Sequence, residues 1–457
     1  MKISVFFIGR KRPGFEPAWG ALLEKKIQVQ LESSPFQVSF FSPITDEQEM
    51  KNAIVQSRNN GAEIIIVSQP TMGDGNLCPI LSTEWSGAVI VWATPENPAN
   101  PDVSACGLVG AHNWISAMSQ LGFPPYLVYG MPGTSETIKE LNDTIWTASA
   151  SVRLAHARVG LIGDHAPGFL NMAVDAVATQ RQLGARLKRF GLHEFYTLVR
   201  SISEQEVQED CKRAKALNLP VKQGVVFDES VWNISSRYYL AIQKLVQEEK
   251  LNAVALRCWP EMPNEFGVWS YLAVPRLAND GIAICEEGDV DGALGCLVAQ
   301  SMGCPSSAFN SDWLEHNDNS ILLWHGGATP FDMCEPIGSS VGPTLNVHYN
   351  TKKPIVVDTE LKHGMLVTLF RFWRFENRYS MAIVEGTMDK PPRTITGCAG
   401  LVRVSGSGVK RFFEDICTLG MPHHMVVMQG HYGTMLRRFA ERHRPAKLTI
   451  VRSLGIQ

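Results

Sequence analysis

The chain has 457 residues, 45% of them hydrophobic and 19% charged, and its 42 basic and 45 acidic residues leave a formal net charge of −3. That balance, without any long block of like charge, excludes a strong field for nucleic acid or anionic lipid and leaves small neutral or mixed-charge ligands as the expectation. The length suits two to four domains of ordinary size.

In MKISVFFIGRKRP the apolar run Ile3 to Ile8 is followed at once by Arg10, Lys11, Arg12 and Pro13. This reads as a first strand and not as a signal peptide. No segment approaches the roughly 18 uninterrupted apolar residues of a membrane span. Ten cysteines are scattered from Cys78 to Cys417 with no CxxC pair, the pattern of free thiols in a reducing compartment. A soluble, cytoplasmic protein with no nucleic-acid or membrane partner is expected.

The first third alternates β-rich runs (2–9, 36–43, 62–69 and 87–95) with helix-like AWGALLEKKIQVQLE and DEQEMKNAIVQSRNN. This is a βαβα pattern, and it predicts a parallel sheet. A second α/β series starts at ARVGLIGDHAPGF (157–169), with strands expected at GVVFD, NAVALRCWP and IAICEE and a helix over 236–251. After ILLWHGGATP (321–330), Pro, Gly and Thr punctuate PIVVDTEL, GMLVTLFRFWRFE, YSMAIVEGTM and TGCAGLVRV. That text predicts antiparallel strands, with Phe372 to Phe375 on a strand of alternating exposure. A helix (433–444) and a strand, KLTIVRS, close the chain. The domain boundaries expected are 1–155, 156–326 and 327–457.

The stretch GIAICEEGDVDGALGCLVAQ (281–300) gathers Glu286, Glu287, Asp289 and Asp291 between two apolar runs. Asp289 is placed to cap a helix whose Val290, Leu294, Leu297 and Val298 share one face. Glu286 and Glu287 then end a strand, at the sheet edge where α/β folds bind ligands. Solvated turn and cap carboxylates are the plainer alternative. Downstream, however, Asp312 ends an apolar piece, His325 ends the ILLWH strand, and MPHHMVVMQGHYG adds His423, His424 and His431. Carboxylates and imidazoles arriving from separate strand ends make an oxygen and nitrogen set suited to Mn²⁺ or a similar divalent ion. Such an ion would offset the repulsion among clustered carboxylates.

These blocks resemble a known family. EEGDVDGAL, CWPE (258–261), DWLEHNDNSILLWHGGATP (312–330) and PHHMVVMQG (422–430) are similar to segments of the L-fucose isomerase and L-arabinose isomerase-like family, in its fucose isomerase-like branch. The resemblance implies two N-terminal Rossmann-like α/β domains followed by a β-rich, antiparallel barrel-like C-terminal domain. It also implies a metal-dependent aldose–ketose isomerase acting on a free sugar and working as a homo-oligomer, a hexamer or a trimer-based assembly. Carried over by motif, Glu287 and Asp312 are the catalytic acid/base pair and metal ligands. His424, preferred to His423, completes the metal shell, and His325 matches a metal histidine of the arabinose branch. Mn²⁺ is the expected metal, with Co²⁺ or Mg²⁺ as substitutes. His423 is left on the substrate side. The segment GRKRPGFEPAW is loosely similar to one whose arginine reaches a substrate in a neighbouring subunit, which adds Arg12 to the substrate-binding set.

Trp259, Trp313 and Trp324 flank the same strand ends, and an aromatic face suits the C–H face of a sugar, although large Trp side chains equally suit a core. The aldose itself is open among L-fucose, D-arabinose and L-arabinose. A 6-substituted hexose such as sulfoquinovose is the alternative, its anionic group tolerated by the Arg-rich RFWRFENR and LRRFAERHR. A metal-dependent epimerase and a non-catalytic sugar-binding protein are the rival classes.

Overall fold

The strand expected from the first apolar run forms as β1 (Lys2–Ile8), buried from Ile3 onward. A computed structural model describes residues 1–11 and 14–456, so the substrate-binding expectation for Arg12 falls outside the described residues. β2 (Gln37–Ile44), β3 (Ile64–Ser68), β4 (Ala88–Ala93) and β5 (Tyr126–Tyr129) join β1 in the order β2-β1-β3-β4-β5. Every pairing is parallel. Short strands that are apolar on both faces, such as IIIVS, need cover on both sides. Two apolar clusters supply it, one around Met50, Trp114 and Phe123 and the other around Ile27, Trp92 and Leu141. The helix Glu47–Asn59 begins where the Asp46 side chain accepts the Glu49 N–H, the expected role for an acidic N-cap. These elements form a compact unit, Met1–Val152.

The second unit is Arg153–Gln457. It opens on a four-stranded parallel sheet of β6 (Arg158–Ile162), β7 (Arg186–Phe190), β8 (Ala253–Leu256) and β9 (Ala283–Glu286), ordered β7-β6-β8-β9. The strand expected at GVVFD does not form. Val226 is 91% exposed there, and an apolar run of three residues with nothing to pack on stays a loop. Its place at the sheet edge is taken by RLKRF, whose alternating charges suit a half-exposed edge strand and hide it from a search for apolar runs.

The rest is a nine-stranded sheet. Its members are β10 (Phe309–His316), β11 (Ser320–His325), β12 (Thr344–Val347), β13 (Pro354–Glu360), β14 (Leu366–Phe375), β15 (Arg378–Asp389), β16 (Cys398–Val404), β17 (His424–Gln429) and β18 (Thr449–Leu454). The order is β12-β13-β16-β11-β10-β17-β14-β15-β18, and an additional pairing of β15 with β16 closes six strands into a barrel. All six ring pairings are antiparallel. The strands carrying Asp312 and His325, expected to extend the second α/β series, are an antiparallel hairpin of this barrel instead.

The alternation expected across Phe372 to Phe375 is absent, since Phe370, Arg371, Phe372 and Trp373 are all buried. The helix Val290–Ser301 covers the outer face of β14. It is buried on nearly every side, and a Cβ at its Gly295 would come within 2.6 Å of Val426 on β17. This helix follows β9 directly and packs against both sheets. Among the described residues no helix is long and apolar enough to cross a membrane.

Candidate active site

The turn after β9 fixes the first carboxylate. Glu287 adopts φ 62°, a left-handed conformation uncommon for a residue with a side chain and of the sort that gathers at functional sites. Its carbonyl accepts the Ala166 N–H at 2.8 Å, and the Gly288 N–H donates to Leu256 O at 3.0 Å. Gly288 is obligatory: at φ 71° a Cβ would stand 2.2 Å from the Asp164 carbonyl oxygen. Trp259 Nε1 donates to Glu287 Oε1 at 2.8 Å, and Glu287 Oε2 has no hydrogen-bond partner.

Barrel register supplies the second carboxylate and the imidazole. Asp312 of β10 is paired across the ladder with His424 of β17 on one side and Trp324 of β11 on the other. His424 is completely buried, and its Nδ1 lies 2.9 Å from Asp289 Oδ2. A carboxylate can only accept, so Nδ1 carries the proton and Nε2 is left for something else. His424 Nε2 sits 3.3 Å from Glu287 Oε2 and 3.6 Å from Asp312 Oδ1. All three atoms are buried without hydrogen-bond partners.

Asp289 is the N-cap, as expected, accepting from the Gly292 N–H. It also binds Arg371 through both oxygens, at 2.6 and 2.8 Å. Its two oxygens are thereby filled by four donors, a geometry that holds the His424 ring at one angle. Sequence reasoning saw the cap but not this role. The signal was present in VTLFRFW, where a single arginine inside a buried strand requires a buried carboxylate.

Burial alone would raise the Glu287 carboxyl, but the His423 and His424 rings overrule it and hold it well below the usual range. Burial likewise acts to raise Asp289, and Arg371 and His424 outweigh it. His424 is moved up against the effect of its own burial by Asp289 and Glu287. Glu287, His423 and His424 offer ligand atoms that all lie within 4.8 Å of one another, and Asp312 Oδ1 stands 3.6 Å from His424 Nε2 and 3.9 Å from His423 Nε2, a set of oxygens and nitrogens that fits a divalent cation.

A cavity of about 530 Å³ opens over these groups. Glu287, Asp312, His325 and His423 line it together with Trp259, Trp313 and Trp324, so the three tryptophans do face it. His423 packs on Phe169, ring centroids 4.5 Å apart, with its Nε2 3.7 Å from Glu287 Oε2. The His325 ring is 5.7 Å from that of His424. The far wall, which the sequence did not reveal, comprises Trp269, Tyr271 and the loop His348 to Thr351. His348 stacks on Trp269 at 4.1 Å. Neither Arg-rich segment reaches the cavity lining. Arg371 is taken up by Asp289, and Arg374 lies 3.7 Å from Asp175. His431 is bonded to Gly386 O and His316 packs on Phe413, both outside the cavity.

A parallel α/β sheet, a closed antiparallel barrel and a carboxylate–histidine cluster beneath an aromatic cavity define a candidate enzyme centre in the second unit. The chain is similar to the sulfoquinovose isomerase of Priestia aryabhattai, with 23% identity over 400 residues and 87% of each chain covered. It is also similar to that of Alkalicoccus urumqiensis, with 21% identity over 394 residues, 86% of this chain and 87% of the relative. The L-arabinose isomerase of Thermotoga neapolitana matches over 247 residues at 24% identity, 52% of this chain and 47% of its own. No family model matches the chain. A solute-binding protein of Actinobacillus succinogenes with bound D-allose aligns at 11% identity over 66% of this chain and 91% of its own, with a TM-score of 0.17, too low to carry an argument. With these relatives, the chain is an enzyme of the isomerase class, an intramolecular oxidoreductase.

Proposed function

We propose that the protein interconverts an aldose and its ketose through an enediol, with Glu287 and Asp312 as the proton-transferring pair. The observation that carries this reading is that the unpartnered Glu287 Oε2 and Asp312 Oδ1 lie 3.3 and 3.6 Å from the unpartnered His424 Nε2 beside the cavity. A divalent cation, Mn²⁺ or in its place Co²⁺ or Mg²⁺, held by these three residues would polarise the sugar carbonyl and offset the charge of the enediolate. One proton must pass between C1 and C2 and another between O1 and O2. Glu287 and Asp312, entering from the β9 turn and from the barrel, can take and return them. Trp259 orients Glu287 through its N–H. Asp289 and Arg371 orient His424, while Trp313 and Trp324 exclude water and offer apolar faces to the sugar. His325 faces the same cavity, either as a further ligand or as a partner for a sugar hydroxyl.

The relatives that span most of the chain support a sulfonated hexose of the sulfoquinovose kind as substrate. A neutral aldose (L-fucose, D-arabinose or L-arabinose) is the second reading. It is favoured by the cavity wall, which among the described residues includes no Lys or Arg. Burial also pushes His348 down to about 4, leaving its ring uncharged near neutral pH.

The test is to strip the protein with chelator, restore Mn²⁺, and assay ketose formation from sulfoquinovose and the three neutral aldoses. Turnover that returns with Mn²⁺ and is lost in Glu287→Gln supports the reading and names the sugar. Sugar binding without turnover under any metal would sink it. Solvent deuterium appearing at C1 or C2 supports the enediol, and full retention of the substrate hydrogen would favour a hydride shift.

A further inference from the structure

One wall of the cavity is carried by a segment tied to the barrel through hydrogen bonds. Phe169 lines the cavity, its ring 4.5 Å from that of His423 and 5.6 Å from that of Trp259. Beyond it Leu170 and Val177 are 80% and 77% exposed, so part of the segment's apolar surface finds no cover, the mark of a stretch with low local stability. The helix Ala176–Leu183, which Asp175 caps, ends the segment. Gln182 at the far end of that helix bridges the hairpin of β14 and β15. Its Nε2 donates to Asn377 O at 2.8 Å, and its Oε1 accepts the Tyr379 N–H at 2.9 Å. A relay of hydroxyls makes the other tie. Asp291 Oδ1 lies 3.0 Å from Tyr379 Oη, Tyr379 Oη 3.0 Å from Thr179 Oγ1, and Thr179 Oγ1 2.9 Å from Asp175 O.

Three contacts in this relay need three hydrogens, and each hydroxyl donates only once. When Asp291 is ionised it can only accept, so Tyr379 donates to it. The single Thr179 hydrogen must then serve either Tyr379 or the Asp175 carbonyl, and one contact goes unmade. When Asp291 is protonated, its hydrogen goes to Tyr379, that of Tyr379 to Thr179, and that of Thr179 to Asp175 O. All three contacts are then made, in one direction. Thr179 and Tyr379 are buried, where a missing hydrogen bond is costly.

The charges around Asp291 are Arg371 and Arg374 on β14 and Asp289 at the start of its own helix, while Arg374 and Arg181 act on Asp175 across the relay. Loss of surrounding water is the largest influence. With Asp289 it outweighs Arg371 and pushes the Asp291 carboxyl up to about 6. An unfolded aspartate titrates near about 3.9. The folded chain thus keeps this proton over a range in which the unfolded chain has released it. The bonding that depends on the proton is fully present below about pH 3.9 and is lost as the pH rises through about 6.

We propose that Asp291, Tyr379 and Thr179 form a proton-operated clasp, closed when Asp291 is protonated and loosened when it ionises, that fastens the helix Ala176–Leu183 and the adjoining Phe169 wall of the cavity to the barrel. The clasp is independent of the isomerase reading.

The test is hydrogen–deuterium exchange of the protein at about pH 5 and about pH 7.5, read by mass spectrometry on peptides covering 169–183 and corrected for the intrinsic pH dependence of exchange. Wild-type protection should be about 3- to 10-fold greater at the lower pH, the worth of one hydrogen bond. Asp291→Asn, whose amide donates to Tyr379 at either pH, should keep the high protection at both. Tyr379→Phe and the near-isosteric Thr179→Val break the relay and should give low protection at both. Equal wild-type protection at the two pH values overturns the proposal, and this comparison needs no variant to fold. A pH difference that persists undiminished in Asp291→Asn, or wild-type behaviour in a folded Tyr379→Phe protein, overturns it as well.

Discussion

Asp312 and His424 are direct partners across the ladder between β10 and β17, with Asp312 Oδ1 3.6 Å from His424 Nε2. Cross-strand pairing thus brings together two residues more than a hundred positions apart in the chain, and it does so on a closed barrel with little freedom to shift. The remaining component, Glu287, comes from a different sheet. Its position relative to the barrel depends on the buried helix Val290–Ser301 and on the Asp289–Arg371 pair at the start of that helix.

Arg371→Met should therefore reveal how much of the site rests on that pair. Asp289 and Arg371 are each 1% exposed at the side chain, and removing one member of a buried ion pair typically costs about 3–5 kcal/mol. The expected outcome is a loss of that size in urea unfolding of the second unit. The double variant Asp289→Asn with Arg371→Met should lose clearly less than the sum of the singles. Additive losses would mean that the pair is not energetically coupled.

Asp289→Asn by itself tests orientation of the metal ligand. The amide can still accept one hydrogen bond from His424 Nδ1, but the charge that raises the basicity of the ring is gone. Loss of such an outer partner usually lowers metal affinity about 10- to 100-fold. Mn²⁺ affinity read by electron paramagnetic resonance should fall within that range while the chain remains folded. Unchanged affinity would separate Asp289 from any metal function.

Much of this centre is legible in the sequence, and the part that is not has a physical reason. Glu287, Asp289 and the helix after them are readable because a strand end, a cap and a 3.6-residue period fall within twenty residues. Asp312 and His424 are each conspicuous as polar residues at the ends of apolar runs, but their partnership is a matter of barrel register, which no local pattern encodes. The hairpin of β10 and β11 was misplaced for the same reason: apolar runs of that length look alike in parallel and antiparallel sheets. β7 is not legible because an edge strand needs no apolar run, whereas GVVFD has one and forms no strand. The wall from Trp269 to Thr351 comes from loops, where composition says little about which side chains meet.

Gly288→Ala addresses the turn that aims Glu287. The added methyl would meet the Asp164 carbonyl at 2.2 Å while the backbone holds φ 71°, and both effects push the Glu287 segment out of place. Misplacing a catalytic group by about an ångström can cost on the order of a hundredfold in rate. The expected result is a loss in kcat of about that size, larger than the accompanying fall in thermal stability would explain. Wild-type kcat in a folded Gly288→Ala protein would show that the turn tolerates other conformations.

The last prediction concerns pH and a histidine outside the cavity. His443 is 1% exposed, and its Nε2 lies 3.2 Å from Leu183 O, so that nitrogen carries the proton and donates. Burial pushes its pKa down to about 4, and the bond to Leu183 offsets only part of that effect. An unfolded histidine titrates near about 6.5. Between these values the unfolded chain binds the extra proton and the folded chain does not. The stability that depends on a neutral His443 is thus fully present above about pH 6.5 and is lost as the pH falls toward about 4. The difference corresponds to roughly 3 kcal/mol at the acid end. His443→Gln retains a side-chain N–H without the titration. Whatever its stability at pH 7.5, its urea midpoint should decline less steeply than the wild-type midpoint between pH 6.5 and 4.5. Parallel declines in the two proteins would mean that His443 takes up its proton without unfolding, and that the Leu183 contact yields to accommodate the charge.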